Sequence, residues 1–229
     1  MKNIIITAGT KGGTGKSLGA TLIYSWLKEK KVRVAAFDGD NENSTLCRFI
    51  PEAGFVDMRQ ADAIDQILDP LIKDTADVVV LDSRAGTSDE FLEWLRSIGV
   101  EEIQRDLACV ITIVATVTST MDTVEQLKRW TDELNVKVRW LVVRNTVNGE
   151  PVTYDESNLR KRIRKELKGR ELSLPKFLEV LMQALDKASL TIHAGSVSPD
   201  LPFVHRSRCK TIIPAITEQL NSIEEVILP

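Results

Sequence analysis

Cysteine is scarce: Cys47, Cys109 and Cys209 are odd in number and far apart, with no C-x-x-C among them. That pattern argues against a disulfide framework and against a zinc or cluster site, and the thiols are expected to be reduced. Long hydrophobic runs are missing too. The longest nearly apolar stretch, residues 107–117, holds two threonines and falls far short of the roughly 20 residues that cross a bilayer. It reads as a buried strand. The opening MKNIIITAG reaches a glycine too soon for a secretory h-region and shows no cleavage site, so a cytoplasmic protein is expected. With a net charge of only −3, any nucleic-acid surface has to be a local patch. Repeats and low-complexity tracts are absent.

What remains is an ordinary globular composition, 43% hydrophobic and 28% charged. A chain of 229 residues buries roughly 70–75% of its unfolded surface. One domain over 1–229 is expected, with a core over 1–145 and a helical C-terminal part over 146–229. Apolar runs of strand length recur at 3–8, 32–37, 78–81, 108–117 and 136–143. Near-continuous Val/Ile/Leu runs suit strands covered on both faces. Helical spacing falls between them, at 15–30, 61–73, 88–98 and 122–134. In the last, Val124, Leu127, Trp130 and Thr131 share one face, and Glu125, Lys128, Arg129 and Asp132 lie on the others. The fold class is α/β, a mostly parallel twisted sheet with helices on both faces. After Asn145 comes a turn-rich connection, then helical segments at about 159–169 and 174–187, a short apolar stretch at 190–193, a Pro/Ser loop, and a final helix ending near Ile227.

The segment TKGGTGKS, Thr10 to Ser17, follows a predicted strand and opens a helix, as a phosphate-binding loop requires. Gly12, Gly13 and Gly15 let backbone N–H groups approach phosphate oxygens, and the helix N-terminus adds partial positive charge. Thr14 completes the loop. Lys16 would reach the β- and γ-phosphates and the Ser17 hydroxyl would ligate Mg²⁺. Thr10 stands where glycine is usual. Two further strands end in AFDGDNENST and VVVLDSRAGTSD, which puts Asp38, Asp40 and Asp82 at the carboxyl end of the sheet, where ligands bind in open α/β folds.

Lys11, followed by Gly-Gly, resembles the signature lysine of the ParA/MinD family of deviant Walker A ATPases, P-loop NTPases of the SIMIBI class. The resemblance runs in motif order from Met1 to about Asn145 and more loosely to Pro202. It implies a weak, partner-stimulated, Mg²⁺-dependent ATP hydrolase with ATP and Mg²⁺ as its cofactors. It also implies a homodimer around two ATP molecules, in which Lys11 crosses the interface and stabilises charge on the neighbour's phosphates as an arginine finger does. Asp38 and Asp82 would belong to the Mg²⁺ shell with Ser17, and Asp40 would orient the attacking water. Asn41 and Glu42 depart from the family's switch segment. Arg84 reads equally as a switch contact or a surface residue. Asn145 reads as a contact to the adenine edge or as a turn asparagine opening a loop. The loop at 198–202 resembles the family's other base-flanking loop. LDSRAGTSDEFLEWL and TMDTVEQLKRW look most like the plasmid-borne TraL and StbB conjugation or stability ATPases.

The surface that couples hydrolysis to a partner has two readings. In SNLRKRIRKELKGRELSLPK, Leu159, Ile163 and Leu167 form a stripe that leaves Arg160, Lys161, Arg162, Arg164, Lys165 and Lys168 for phosphates. Arg206, Arg208 and Lys210 would extend that ridge. Without interleaved aromatics, backbone contact with no sequence readout is expected, and with no helix-turn-helix ahead of the first strand no operator-specific binding is expected. The other reading, a MinD-like membrane helix at AITEQLNSIEEVILP, fits poorly because its charges are Glu218, Glu224 and Glu225, which anionic lipid repels. No membrane partner is expected, and a docked C-terminal helix is the simpler account. The expectation is therefore a nucleoid- or plasmid-associated ATPase of plasmid partition, stability or transfer, with a ParB-like or other stimulating partner. A MinD-like positioning ATPase and a metabolic P-loop ligase of the dethiobiotin-synthetase type are the alternatives.

Overall fold

Unbroken apolar runs build the centre of the molecule, because a strand covered on both faces has no polar side to show. The computed structural model describes residues 1–9, 11–40 and 44–229. Its strands are β1 (Lys2–Ala8), β2 (Val34–Asp38), β3 (Gly54–Phe55), β4 (Val78–Asp82), β5 (Cys109–Val117), β6 (Arg139–Asn145) and β7 (Arg170–Leu174). All pair in parallel, in the order β3-β2-β4-β1-β5-β6-β7.

Helices connect them: α1 (Lys16–Glu29), α2 (Thr45–Phe49), α3 (Ala61–Asp65), α4 (Asp69–Ile72), α5 (Ser88–Ile98), α6 (Val100–Asp106), α7 (Met121–Leu134), α8 (Val152–Asp155), α9 (Asn158–Lys165), α10 (Glu179–Ala188), α11 (Ile192–Val197), α12 (Phe203–Ser222) and α13 (Glu224–Ile227). Successive strand residues feed opposite layers. Ile4 and Ile6 pack with α3 to α9, and Ile5 packs with α1, α2 and α10 to α13. In α7 the expected face, Val124, Leu127, Trp130 and Thr131, is buried.

The chain end docks. Ile216, Leu220, Ile223 and Ile227 are buried in the second layer. Two buried polar side chains of the sheet receive it: Asn3 Nδ2 donates to the Ile227 carbonyl at 2.8 Å and Thr112 Oγ1 to that of Val226 at 2.7 Å.

Three expected elements differ. The helix at 61–73 is two short helices, with Pro70 in the first turn of α4, where its missing N–H costs nothing. Residues 170–174 form edge strand β7, and helix α10 starts only at Glu179. Within β7 only Leu172 and Leu174 are fully buried, and Glu171 turns to the other face. The apolar stretch at 190–193 leads into α11.

Candidate functional site

The loop between β1 and α1 turns through Gly13 at φ 71° and Gly15 at φ 95°, the left-handed region that only glycine enters cheaply. At its end Lys16 is 8% exposed. Its Nζ donates to the Lys11 carbonyl at 3.0 Å. Burial lowers the Lys16 pKa, and the charges of Asp82 and Asp40 partly offset that. A poorly hydrated ammonium inside a ring of backbone is suited to an anion.

Register brings the acidic residues beside it. Asp82 pairs with both Thr7 of β1 and Asp38 of β2, so the three side chains share one row at the carboxyl edge. Thr7 Oγ1 donates to Asp82 Oδ1 at 2.8 Å. Burial pushes the Asp82 carboxyl up to about 6, hydrogen bonds from Ser17 and Thr7 hold it back, and the charge of Asp38 adds to the push. Thr7 also accepts the Ser83 N–H at 3.0 Å through Oγ1, and its carbonyl accepts the Ser83 hydroxyl. Thr7 and Ser83 escaped the sequence reading, although a threonine closing the apolar run of β1 was a visible signal.

Asp38 is fully buried, and its oxygens hold backbone: Oδ1 accepts the Asp40 N–H at 2.9 Å and Oδ2 the Cys47 N–H at 3.0 Å. It therefore staples the following loop and α2 to the sheet. Asp40 is half-buried and lies close enough to raise the proton affinity of Lys16. Thr10, Asn41 and Glu42 lie outside the described residues. Arg84 is half-buried, and its carbonyl accepts the Thr87 hydroxyl at 3.0 Å.

Lys11 diverges from Lys16. Its Nζ reaches out to Asp122 Oδ2 of α7 at 2.9 Å, with 44% of the lysine side chain exposed, and that contact holds the Asp122 carboxyl below its ordinary value. Asn145 is 5% exposed and spans to the loop: Nδ2 donates to the Thr14 carbonyl at 2.8 Å, and Oδ1 accepts the Val147 N–H at 3.1 Å. The segment beside Asn145 is the exit of β7, since Leu174 pairs with Asn145 and accepts from Thr146 Oγ1 at 3.2 Å. Residues 198–202 instead join α11 to α12. Next to Ser17 a cavity of about 380 Å³ opens between α1, α2 and α10, walled by Leu18, Phe49, Met182 and Leu190.

The basic residues of 160–168 divide. Arg160 makes two 2.8 Å bonds to Glu171 and lies 3.2 Å from Asp155. Arg162 pairs with Asp132 and donates to the Thr131 carbonyl at 3.2 Å. Lys161, Arg164, Lys165 and Lys168 are exposed. Arg206, Arg208 and Lys210 do not extend this ridge, because α12 packs on the opposite face of the sheet from α9. Among the described residues, no group of three or more His, Cys, Asp or Glu side chains could hold a metal by itself.

A parallel sheet whose first strand runs through a glycine loop and a buried lysine into a helix, with carboxylates along the same edge, defines a P-loop nucleotide-binding protein. More narrowly, the chain belongs to the CobQ/CobB/MinD/ParA nucleotide binding domain family, whose model matches residues 5–187. The MinC:MinD cell division protein complex of Aquifex aeolicus is similar in fold, with TM-score 0.56, 16% identity, and 97% of this chain and 96% of that one covered. MinD of the same organism gives 0.54, 15%, and 97% of each chain. The cell division protein FtsY of Thermotoga maritima gives 0.50 and 14%, covering 75% of this chain. FtsY chains are longer, and this chain spans 60% of that protein and 57% of the chloroplast FtsY of Physcomitrella patens. No curated protein sequence matches. Among the described residues no helix is long and apolar enough to cross a membrane.

Proposed function

We propose that this chain is an ATP hydrolase that works as a homodimer around two ATP molecules, one domain over 1–229 supplying each half. The divergence of its two loop lysines carries the reading. Lys16 turns into its own loop and is nearly buried, whereas Lys11 leaves the loop and stays exposed on the α7 side. One cation serves the bound phosphates, and the other, on leaving Asp122, reaches a second subunit. As negative charge builds on the transferring phosphoryl group, Lys16 in cis and the neighbour's Lys11 in trans stabilise it. Asp40 orients the attacking water.

Mg²⁺ fits this donor set of hard oxygens. The Ser17 hydroxyl would ligate it, with Asp82, buried and carrying a raised proton affinity in want of a countercharge, and Asp38 holding its water shell. Bound there, the ion would supply charge neutralisation on the phosphates. Lys161, Arg164 and Lys165, exposed on α9, and Lys168 just past its end support sequence-independent contact with DNA phosphates. Such a switch suits plasmid partition, stability or transfer, its slow hydrolysis stimulated by a partner protein.

A shared active site has a kinetic signature. The hydrolysis rate per subunit should rise with protein concentration until the dimer saturates. A rate per subunit that stays flat from nanomolar to micromolar protein, with a monomer at both ends, would overturn the reading.

A further inference from the structure

We infer that Asn145 is a positioning residue of the phosphate loop, holding the Thr14 carbonyl away from the anion and so setting affinity for the polyphosphate itself. The inference rests on the assignment of residues 10–17 as that loop.

An anion site made of backbone has one internal enemy, its own carbonyl oxygens. Each peptide that offers an N–H to phosphate must point its C=O the opposite way, since the trans peptide is planar and the two groups are antiparallel. In this loop the carbonyls of Lys11, Thr14 and Gly15 are captured, that of Gly15 by the Gly19 N–H of α1 at 3.0 Å. The Lys11 oxygen takes the Lys16 ammonium at 3.0 Å and the Thr14 hydroxyl at 3.4 Å. The Thr14 oxygen takes Asn145 Nδ2 at 2.8 Å, which turns the Gly15 N–H away from Asn145.

The asparagine is itself fixed. It closes β6, pairs in register with Leu174, and its Oδ1 is occupied by the Val147 N–H at 3.1 Å. Only 5% of the residue is exposed. Contact with the loop is close enough to dictate sequence on the other side. A Cβ on Gly15 would lie 2.6 Å from Asn145 Nδ2, and Gly15 also sits at φ 95°. Both ends of the amide are engaged by backbone, Nδ2 by the loop and Oδ1 by the Val147 N–H, so the side chain is fixed in place as a strut between β6 and the loop.

The test compares ATP, GTP and inorganic tripolyphosphate, which has no base, binding to wild type, Asn145→Ala, Asn145→Asp and Lys16→Ala by calorimetry, with urea midpoints for each protein. Asn145→Ala should weaken all three ligands, base-free tripolyphosphate included, the latter by roughly fivefold for a lost buried hydrogen bond. Asn145→Asp keeps the packing and sets a carboxylate against the Thr14 carbonyl and the polyphosphate, so its loss should be larger, tripolyphosphate included. Weaker ATP binding with tripolyphosphate unchanged in Asn145→Asp would make the residue a base reader and overturn the inference, as would unchanged affinity for all three. Lys16→Ala separates the premises: if it binds as wild type does, the phosphate-loop assignment fails, and if it alone loses binding, only the role of Asn145 fails.

Discussion

Arg160→Ala separates an arginine that holds the fold from one that binds phosphate. Arg160 and Glu171 make a two-pronged pair at 2.8 Å with side chains 25% and 15% exposed, and Glu171 also accepts the Tyr154 hydroxyl at 3.1 Å. Exposed pairs are worth about 0.2–1 kcal/mol, whereas breaking a fully buried one costs about 3–5 kcal/mol because the survivor is stranded. This pair lies between those limits, so Arg160→Ala should destabilise by about 1.5–3 kcal/mol. In a urea double-mutant cycle with Glu171→Ala, the coupling should be about 1–2 kcal/mol. DNA binding supplies the second axis. Lys165→Ala, at an exposed position, should reduce the salt slope by roughly 0.9 for one lost phosphate contact and leave stability unchanged, while Arg160→Ala leaves the slope alone. Stability within about 0.5 kcal/mol of wild type, joined to a slope lower by one contact, would refute this and return Arg160 to the DNA surface.

Two more outcomes follow from the same geometry. His193 is mostly buried, with both ring nitrogens enclosed and lacking a hydrogen-bond partner, and burial lowers its pKa despite Glu29 at 3.7 Å. A group whose folded pKa is depressed disfavours the folded state once it must charge. The stability advantage of wild type over His193→Leu should therefore shrink as pH falls from about 7.5 to 5, by at most about 1.4 kcal/mol per pH unit. Asp82, raised to about 6, contributes with the opposite sign in the same window, which is why the difference between the two proteins is the quantity to follow. A gap that is constant or widens in acid would contradict the assignment. Asp122→Asn removes the partner that Lys11 must leave to cross a dimer interface. Since each subunit gives up one exposed pair, the dimer formed with a non-hydrolysable ATP analogue should tighten by roughly 2- to 10-fold in sedimentation equilibrium at moderate salt. A weaker dimer would mean that Asp122 serves the interface itself.

The sheet was legible where strands were buried on both faces. Runs such as IIIT and VVVLD have no helical alternative that leaves a polar side, and each of the five expected strands is present within a few residues of its expected ends. Edge strand β7 hid because RELSL alternates over only five residues between two helical stretches, where period 2 and period 3.6 cannot be told apart. The residue types of the site were legible, since Asp38, Asp82, Lys16 and Ser17 do converge. Their wiring was not. That Asp38 spends both oxygens on the backbone N–H groups of Asp40 and Cys47, and that Asn145 reaches the carbonyl of Thr14, depends on strand register and loop path, which no local pattern encodes. The basic segment shows the same limit: six cations look alike in sequence, yet carboxylates from β7 and α7 pair with two of them.

The most direct test is solution mass by light scattering, with ADP and with a non-hydrolysable ATP analogue, on wild type and Lys11→Ala, each with and without generic duplex DNA. The account predicts a wild-type dimer with the analogue only, joined to DNA when DNA is present, and a Lys11→Ala protein that binds the analogue yet stays monomeric. A monomer in every condition would make Lys11 an ordinary surface lysine and contradict the account.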